Sequence, residues 1–263
     1  MYSDTQLSQP HTSRVYDYFL GGKDNYEVDR RAAAEILQVW PHIRTAARVN
    51  RRFMHRSTRF LAEAGVRQFL DIGTGIPTEP NLHQIAQQTA ADCRVVYVDN
   101  DPLVLAHARA LMTGAGKGEI AYIEGDVTDP AAILASLNRL GVLDLNEPVG
   151  LSMLALLHFV EHGVDEILSD FLDALAPGSY LAICTITADF APEQVIAAQE
   201  VYRVRKLPAQ ARSRAEVAGW FAELDLVEPG VVPPHRWRST EISTFPPSYD
   251  AKISCWSAVG RKP

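Results

Sequence analysis

The stretch Phe69-Leu70-Asp71-Ile72-Gly73-Thr74-Gly75 constrains this chain more than any other. A short apolar run ending in two glycines one residue apart reads as a buried strand that bends tightly into a loop able to approach a ligand. The rhythm then repeats. Arg94 to Asp99 is a second β-branched run closing on an acid, and Asn81 to Ala91 between them has helix-forming content. Pro102 to Met112 reads as the next helix, with Asp101 as its N-cap and Pro102 at the first helical position. Further strands are predicted at Ile120–Ile123, Val149–Ala155 and Tyr180–Thr185, and helices at 130–139 and 163–176, the latter stopped by Pro177-Gly178. Such β-α alternation implies an α/β fold with a parallel sheet, right-handed crossovers and helices on both faces. Helical content at 192–204 and 213–224 leads to a last strand, Lys252–Val259, predicted antiparallel at the sheet edge.

Composition narrows the class. With 263 residues, 47% hydrophobic and 22% charged, the chain can bury one large core, or a core plus an appendage. No apolar run approaches the roughly 18–20 residues of a membrane span, so no membrane association is expected. The N-terminal MYSDTQLSQPHTS has neither the basic nor the apolar region of a secretory signal. Cys93, Cys184 and Cys255 are dispersed and odd in number, which points to a reducing, cytoplasmic setting. A net charge of −7 gives no global reason to expect nucleic-acid binding. That charge is uneven: residues 1–67 carry 11 Lys and Arg against 7 Asp and Glu, whereas 68–263 carry 14 against 25. Two parts are therefore expected, a helical N-terminal extension over 1–67 and a core over 68–263.

Within the extension, Arg44, Arg48, Arg51, Arg52, His55, Arg56 and Arg59 fall on one arc of about 140° of a helix, with Val49, Phe53, Met54 and Leu61 opposite. The stripe is either a solvated face or a frame for an anionic or carboxylate-bearing ligand.

Two acids sharpen the glycine loop. Asp99 closes the next strand, 26 residues beyond Gly73, where a carboxylate can accept both hydroxyls of a ribose. Asp126 and Val127 follow the third strand and can meet an adenine edge. Dinucleotides and S-adenosylmethionine share this layout. A dinucleotide fingerprint asks for a third glycine where this chain has Thr78, because its helix N-terminus must meet a pyrophosphate. S-adenosylmethionine has none, so the spacing favours the methyl donor over a nicotinamide cofactor.

On these residues the core resembles the class I S-adenosylmethionine-dependent methyltransferases, with Phe69–Gly75 as their first motif and Val98-Asp99-Asn100-Asp101-Pro102 as their second. From about His11 to Pro263 the chain resembles an actinobacterial S-adenosyl methyltransferase family, long described as a domain of unknown function. The strings that carry this are Ser13-Arg14-Val15-Tyr16-Asp17-Tyr18-Phe19-Leu20-Gly21-Gly22-Lys23-Asp24-Asn25, Arg48-Val49-Asn50-Arg51-Arg52-Phe53 and Gly73-Thr74-Gly75-Ile76-Pro77-Thr78. The resemblance implies a Rossmann-like sheet of seven strands, the last antiparallel, under a helical cap. It implies that Gly73, Thr74 and Gly75 line the methionine moiety with Asp71 supporting the loop. Asp99 would hold the ribose, Asn100 would lie along the adenine, and Asp126 and Val127 would touch its edge. The aromatic, glycine-rich segment around residues 16–26 is expected to fold over the cofactor as a lid or to pack the extension onto the sheet. Arg14, Tyr18, Gly22 and Lys23 are its expected cofactor contacts, with Arg14 or Lys23 pairing the methionine carboxylate.

After the fourth strand comes Leu156-Leu157-His158-Phe159-Val160-Glu161-His162. His158 is the candidate general base, since imidazole titrates near neutrality and the strand end faces the cleft. The same residues imitate a zinc motif, but an apolar strand runs straight into them and Gly163 follows, so no metal is expected. The chain lacks there the Asn/Asp-Pro-Pro-Tyr string of adenine and glutamine N-methyltransferases, which argues against a nucleic-acid base as acceptor; the acceptor is unidentified, and a small molecule is expected. Arg203, Arg205, Lys206, Arg212 and Arg214 form a second basic cluster, either solvated or facing an anionic acceptor. Trp220, Phe221 and Trp237 read as packing, and Cys184 as inert filling. The remaining alternatives are a non-catalytic binder of S-adenosylmethionine or S-adenosylhomocysteine and an NAD-dependent oxidoreductase.

Overall fold

The computed structural model describes residues 8–111, 118–240 and 245–263. Among the described residues, the helices α1 (Thr12–Leu20), α2 (Glu27–Val39) and α3 (Ile43–Glu63) precede the sheet. Then come β1 (Gln68–Ile72), α4 (Leu82–Thr89), β2 (Arg94–Asp99), α5 (Pro102–Leu111), β3 (Ile120–Glu124), α6 (Pro130–Leu140) and β4 (Val149–Leu154). A short 3-10 turn, Leu157–Phe159, leads to α7 (Val164–Ala174), β5 (Tyr180–Ile186), α8 (Pro192–Val204), α9 (Arg214–Gly219), β6 (Asp225–Leu226), α10 (Ser248–Ile253) and β7 (Cys255–Arg261). The strand order is β3-β2-β1-β4-β5-β7-β6. β1 to β5 pair in parallel, and β7 runs antiparallel to both β5 and β6.

Helix starts follow local chemistry. The Asp101 carboxylate accepts the Leu103 N–H at 3.0 Å, and Asp129 accepts that of Ala132 at 3.0 Å, each capping a helix that opens with proline. Asn81 and Gln84 form a reciprocal capping box on α4. The predicted last strand needs two corrections. Lys252 and Ile253 belong to α10, which ends at Ser254 in a left-handed conformation with φ 42°, so the strand begins at Cys255. β7 is also not the edge, because the two-residue β6 pairs outside it. Met112 lies outside the described residues.

Alternate residues of the strands feed two cores. Leu70, Ile72, Val96, Val98, Leu151 and Ile183 face α6, α7 and α9. Phe69, Val95, Tyr97, Ala182 and Val259 face the other way, into one cluster with Val15 and Phe19 of α1, Ile36 of α2 and Phe53 and Leu61 of α3. The change of rhythm at residues 67–68 is therefore not a break in the core, since the N-terminal helices complete one whole face of the sheet. Trp237 belongs to that face, edge-on to Phe53 at 5.3 Å and to Phe60 at 5.8 Å. Trp220 and Phe221 pack the other. No helix among the described residues is long and apolar enough to cross a membrane.

Candidate functional site

β1 ends at Ile72, and the chain turns through Gly73 (φ 74°) and Gly75 (φ 68°) at the carboxyl edge of the sheet. The Gly73 and Thr74 N–H groups donate to Val98 O at 2.8 and 3.2 Å, which pins the loop to the end of β2. Gly75 N–H donates to Asp99 Oδ2 at 2.8 Å, and Asp101 N–H donates to Asp99 Oδ1 at 2.9 Å. Burial raises the Asp99 carboxyl above its ordinary value, and these two bonds work against that. A Cβ on Gly73 would lie 2.7 Å from Leu156 Cδ1, so glycine at this point serves both the turn and the wall opposite.

The loop borders a cavity closed by β2, by the β3–α6 connection and by the N-terminal helices. Asp71, Gly73, Thr74, Gly75, Asp99 and Asn100 line it, with Gly125 and Val127 further along. Asp126 stands at the exposed rim beside them. Burial tends to raise its carboxyl, but hydrogen bonds from Thr128 N at 2.9 Å, Thr128 Oγ1 at 2.7 Å and Asn100 Nδ2 at 3.1 Å outweigh this and hold it below the ordinary value. The Asp71 carboxyl is raised to about 7, chiefly by burial, with Arg51 opposing.

From the cap the cavity receives His11, Thr12, Ser13 and Tyr16 of α1 and its lead-in, and Asn50, Arg51 and Met54 of α3. None of the four cofactor contacts expected from the extension lines this cavity. Arg14 is buried and committed to Asp29, at 3.1 Å, and to Asp101, at 3.5 Å. Tyr18 lies under the Arg44 guanidinium at 4.9 Å. Lys23 is exposed. Gly22 packs on the Asp17 carboxylate, where a Cβ would come within 1.8 Å of Oδ1, and Asp17 also accepts from Asp24 N and Asn25 Nδ2. The Gly-Gly-Lys-Asp-Asn string thus builds its own turn. The cation that does face the site is Arg51, one member of the basic stripe, which donates to Thr78 O and, at 2.8 Å, to Pro80 O. Burial pulls its guanidinium down from the ordinary value. The stripe is not uniformly solvated, because Arg56 donates to Pro234 O and Trp237 O while Arg48, Arg52 and Arg59 stay exposed. A signal for Asn50 existed in the sequence: it is a polar residue on the apolar side of the α3 wheel, between Phe53 and Met54.

A second, apolar chamber adjoins the first. Tyr16, Phe19, Trp40, Ile43, Ala46 and Ala47 wall it from the cap, Cys184, Thr185 and Ile186 from β5, and Tyr202 from α8. Tyr16, Asn50, Ala155 and Phe159 border both spaces. Ala155 holds φ at 57°, a left-handed value that a side chain disfavours, at the point where β4 leaves the sheet. His158 lies on the 3-10 turn and faces the chamber, not the glycine loop. Its Nδ1 is 3.4 Å from Thr185 Oγ1 and 3.5 Å from Ile186 N. Burial, with Arg212 adding to it, lowers the imidazole to about 3. Glu161 and His162 are exposed and outside any helix, so the apparent zinc motif is not assembled. Among the described residues no metal-binding group of three side chains occurs. The second basic cluster disperses onto local partners: Arg203 pairs Glu200, Arg205 pairs Glu35 of α2, and buried Arg212 donates to Val160 O.

The family model for S-adenosyl methyltransferases matches residues 2–263, and the chain belongs to that family. A DUF574-family protein from Streptomyces avermitilis has 43% identity over 98% of this chain and 99% of its own, with a TM-score of 0.93. A candidate methyltransferase from Thermobifida fusca has 37% identity over 100% and 99%, with a TM-score of 0.89. The plantazolicin methyltransferase, solved with S-adenosylhomocysteine, shares the fold at 11% identity over 95% of each chain, with a TM-score of 0.50. No curated protein sequence matches this one. The cofactor of the family is S-adenosylmethionine, and the donors present suit it. Asp99 keeps unused lone pairs on both oxygens beside a loop whose positive φ at Gly73 and Gly75 favours glycine, and the cavity offers a cation at Arg51.

Proposed function

We propose that this S-adenosyl methyltransferase passes its methyl group to a small-molecule acceptor seated in the apolar chamber, and that residues 1–67 act as a cap over the reacting groups. The observation that carries the reading is the shared wall of Tyr16, Asn50, Ala155 and Phe159. Whatever fills the chamber lies against whatever fills the far end of the glycine-loop cavity.

The roles of the side chains follow from their chemistry. Asp99 accepts the ribose hydroxyls on the lone pairs left free by Gly75 and Asp101. Asn100, Asp126 and Val127 border the adenine end. Gly73 and Thr74 run along the methionine portion, and the Arg51 guanidinium takes its carboxylate, the part first expected of Arg14 or Lys23. S-adenosylmethionine supplies an already activated methyl group when bound, so the protein contributes alignment and exclusion of water. The cap serves the second purpose. His11 and Ser13 reach Asp101 at 3.3 Å each, which ties the start of α1 to the end of β2 over the cavity. His158 lines the acceptor side as a neutral hydrogen-bonding group.

Calorimetric titration with S-adenosylhomocysteine tests the assignment. Asp99→Asn should weaken binding by about tenfold to a hundredfold, the worth of losing charge-assisted hydrogen bonds. An unchanged affinity would place the ribose elsewhere.

A further inference from the structure

We infer that the apolar chamber takes a compact, uncharged ring amine and presents its nitrogen lone pair for methylation, with Asn50 Oδ1 accepting the amine N–H. The inference rests on the placement of cofactor and acceptor argued above, and adds the chemical class of the acceptor.

The lining comes first. It is mostly apolar, with rings from Tyr16, Phe19, Trp40, Phe159 and Tyr202, and no Asp, Glu, Lys or Arg lines the chamber. A charged acceptor would lose its hydration there and find no counter-charge. Free space is only about 30 Å³, room for about two waters, so an occupant must displace side chains, which favours a single ring over a fused system.

The second observation is an orphaned polar atom. The Tyr16 hydroxyl donates to Ala47 O at 3.1 Å and therefore accepts from Asn50, whose Nδ2 stands 2.8 Å away. That fixes the amide, and it leaves Asn50 Oδ1 buried with no partner among the described residues, at the junction of the two cavities. A buried carbonyl oxygen without a donor is costly unless a ligand brings one. Trp40, also lining the chamber, has a buried indole N–H in the same condition, which suits a ring carrying an acceptor atom away from its amine.

The third concerns the proton. Burial pushes the Tyr16 and Tyr202 hydroxyls and the Cys184 thiol up, and presses His158 to about 3. These groups are neutral at physiological pH and none is an effective proton acceptor. Within the chamber a hydroxyl acceptor would find no group to take its proton before attack, the nearest carboxylates, Asp71 and Asp99, lining the other cavity, whereas a neutral amine needs no deprotonation. The nitrogen lone pair forms the new bond to the methyl carbon. The carbon–sulfur bond breaks with its electron pair staying on sulfur, and the N–H proton stays on the methylated ammonium until water takes it after release.

Aniline, phenol and benzoate share one ring and differ in the group offered. Titrated into the full-length protein saturated with S-adenosylhomocysteine, aniline should bind at least about tenfold tighter than benzoate, which is charged and has no donor for Asn50 Oδ1, whereas phenol can donate the same hydrogen bond and is told apart by not being methylated. With S-adenosylmethionine, mass spectrometry should show N-methylaniline. Asn50→Leu, measured at saturating S-adenosylhomocysteine, should lower aniline affinity about tenfold. Preference for benzoate, methylation of phenol in place of aniline, or no binding of any ring while S-adenosylhomocysteine binds normally, would overturn the inference and leave the cofactor reading intact. Loss of S-adenosylhomocysteine affinity in Asn50→Leu with aniline unaffected would also overturn it, by giving that oxygen to the cofactor. The comparison of the three probes on the wild-type protein does not depend on any variant folding.

Discussion

Replacing Gly73 with alanine tests the loop on which the cofactor site is built, and two separable costs are expected. At φ 74° a Cβ is disfavoured by about 1–2 kcal/mol. The same Cβ would meet Leu156 Cδ1 at 2.7 Å and Cδ2 at 3.0 Å. Those atoms are the tip of a side chain that can swing away, so this part is at the low end of overpacking penalties, about 1 kcal/mol. Together they amount to about 2–3 kcal/mol, a fall in melting temperature of about 5–10 °C for a chain of this length. Leu156 also lines the cavity proposed for the cofactor, so on that reading the swing intrudes on the ligand, and S-adenosylhomocysteine should bind about tenfold more weakly. Leu156→Ala in the same chain should remove the steric part and leave the backbone part. Urea unfolding of the wild type, the two single variants and the double variant should then give a coupling of about 1 kcal/mol. If Gly73→Ala melts within about 1 °C of the wild type, or the two substitutions add without coupling, neither the turn nor the Leu156 wall is as described.

Further outcomes concern charge. Asp71, raised by burial to about 7, holds a proton in the folded state that the unfolded chain releases from about pH 4 upward. Its stabilising contribution is present below about pH 4 and is lost as the pH rises through about 7. The melting temperature of Asp71→Asn relative to the wild type should therefore climb between about pH 5 and pH 8, and a flat difference would contradict this burial. His158 has the opposite sign: with its folded value at about 3, stability is present above about pH 6.5 and declines as the pH falls toward 3, a decline that His158→Gln should lessen. Methyl transfer by His158→Gln should fall by less than about tenfold, since loss of a true general base costs about a hundredfold or more. Arg51→Met should weaken S-adenosylhomocysteine binding by about tenfold or more, and Lys23→Met, at an exposed position, should leave the calorimetric constant unchanged.

Much of the sheet was legible in the sequence because its strands are apolar runs closed by turn residues, and because Asp101, Asp129 and Pro177-Gly178 punctuate the helices by local rules. β6 was not, since two exposed residues, Asp225 and Leu226, carry no periodicity. The start of β7 was misplaced because Lys252 and Ile253 continue an alternating pattern, and only the left-handed turn at Ser254 separates helix from strand. The glycine loop is legible because positive φ at Gly73 and Gly75 is a backbone requirement, and the position of Asp99 because it closes an apolar strand. The cap side of the cavity is not. Arg51 looks like an ordinary member of the basic stripe until α3 is laid against the loop at Thr78–Pro80, and Asn50, although out of place on the apolar side, does not show in sequence which cavity it meets. Arg14 and Lys23 drew attention as cations near an unusual string, yet Asp29 and Asp101 claim the first and solvent the second.

The joint core has a consequence for the order in which the chain is made. α3 emerges early in synthesis with its apolar side uncovered, yet it is covered in part by α10 and by Trp237, and its cluster includes Val259 of the last strand. During translation α1 to α3 must therefore wait, with Phe53 and Leu61 open to wrong partners, until α10 and β7 have left the ribosome. Truncations from the C-terminal end should consequently aggregate through their beginnings.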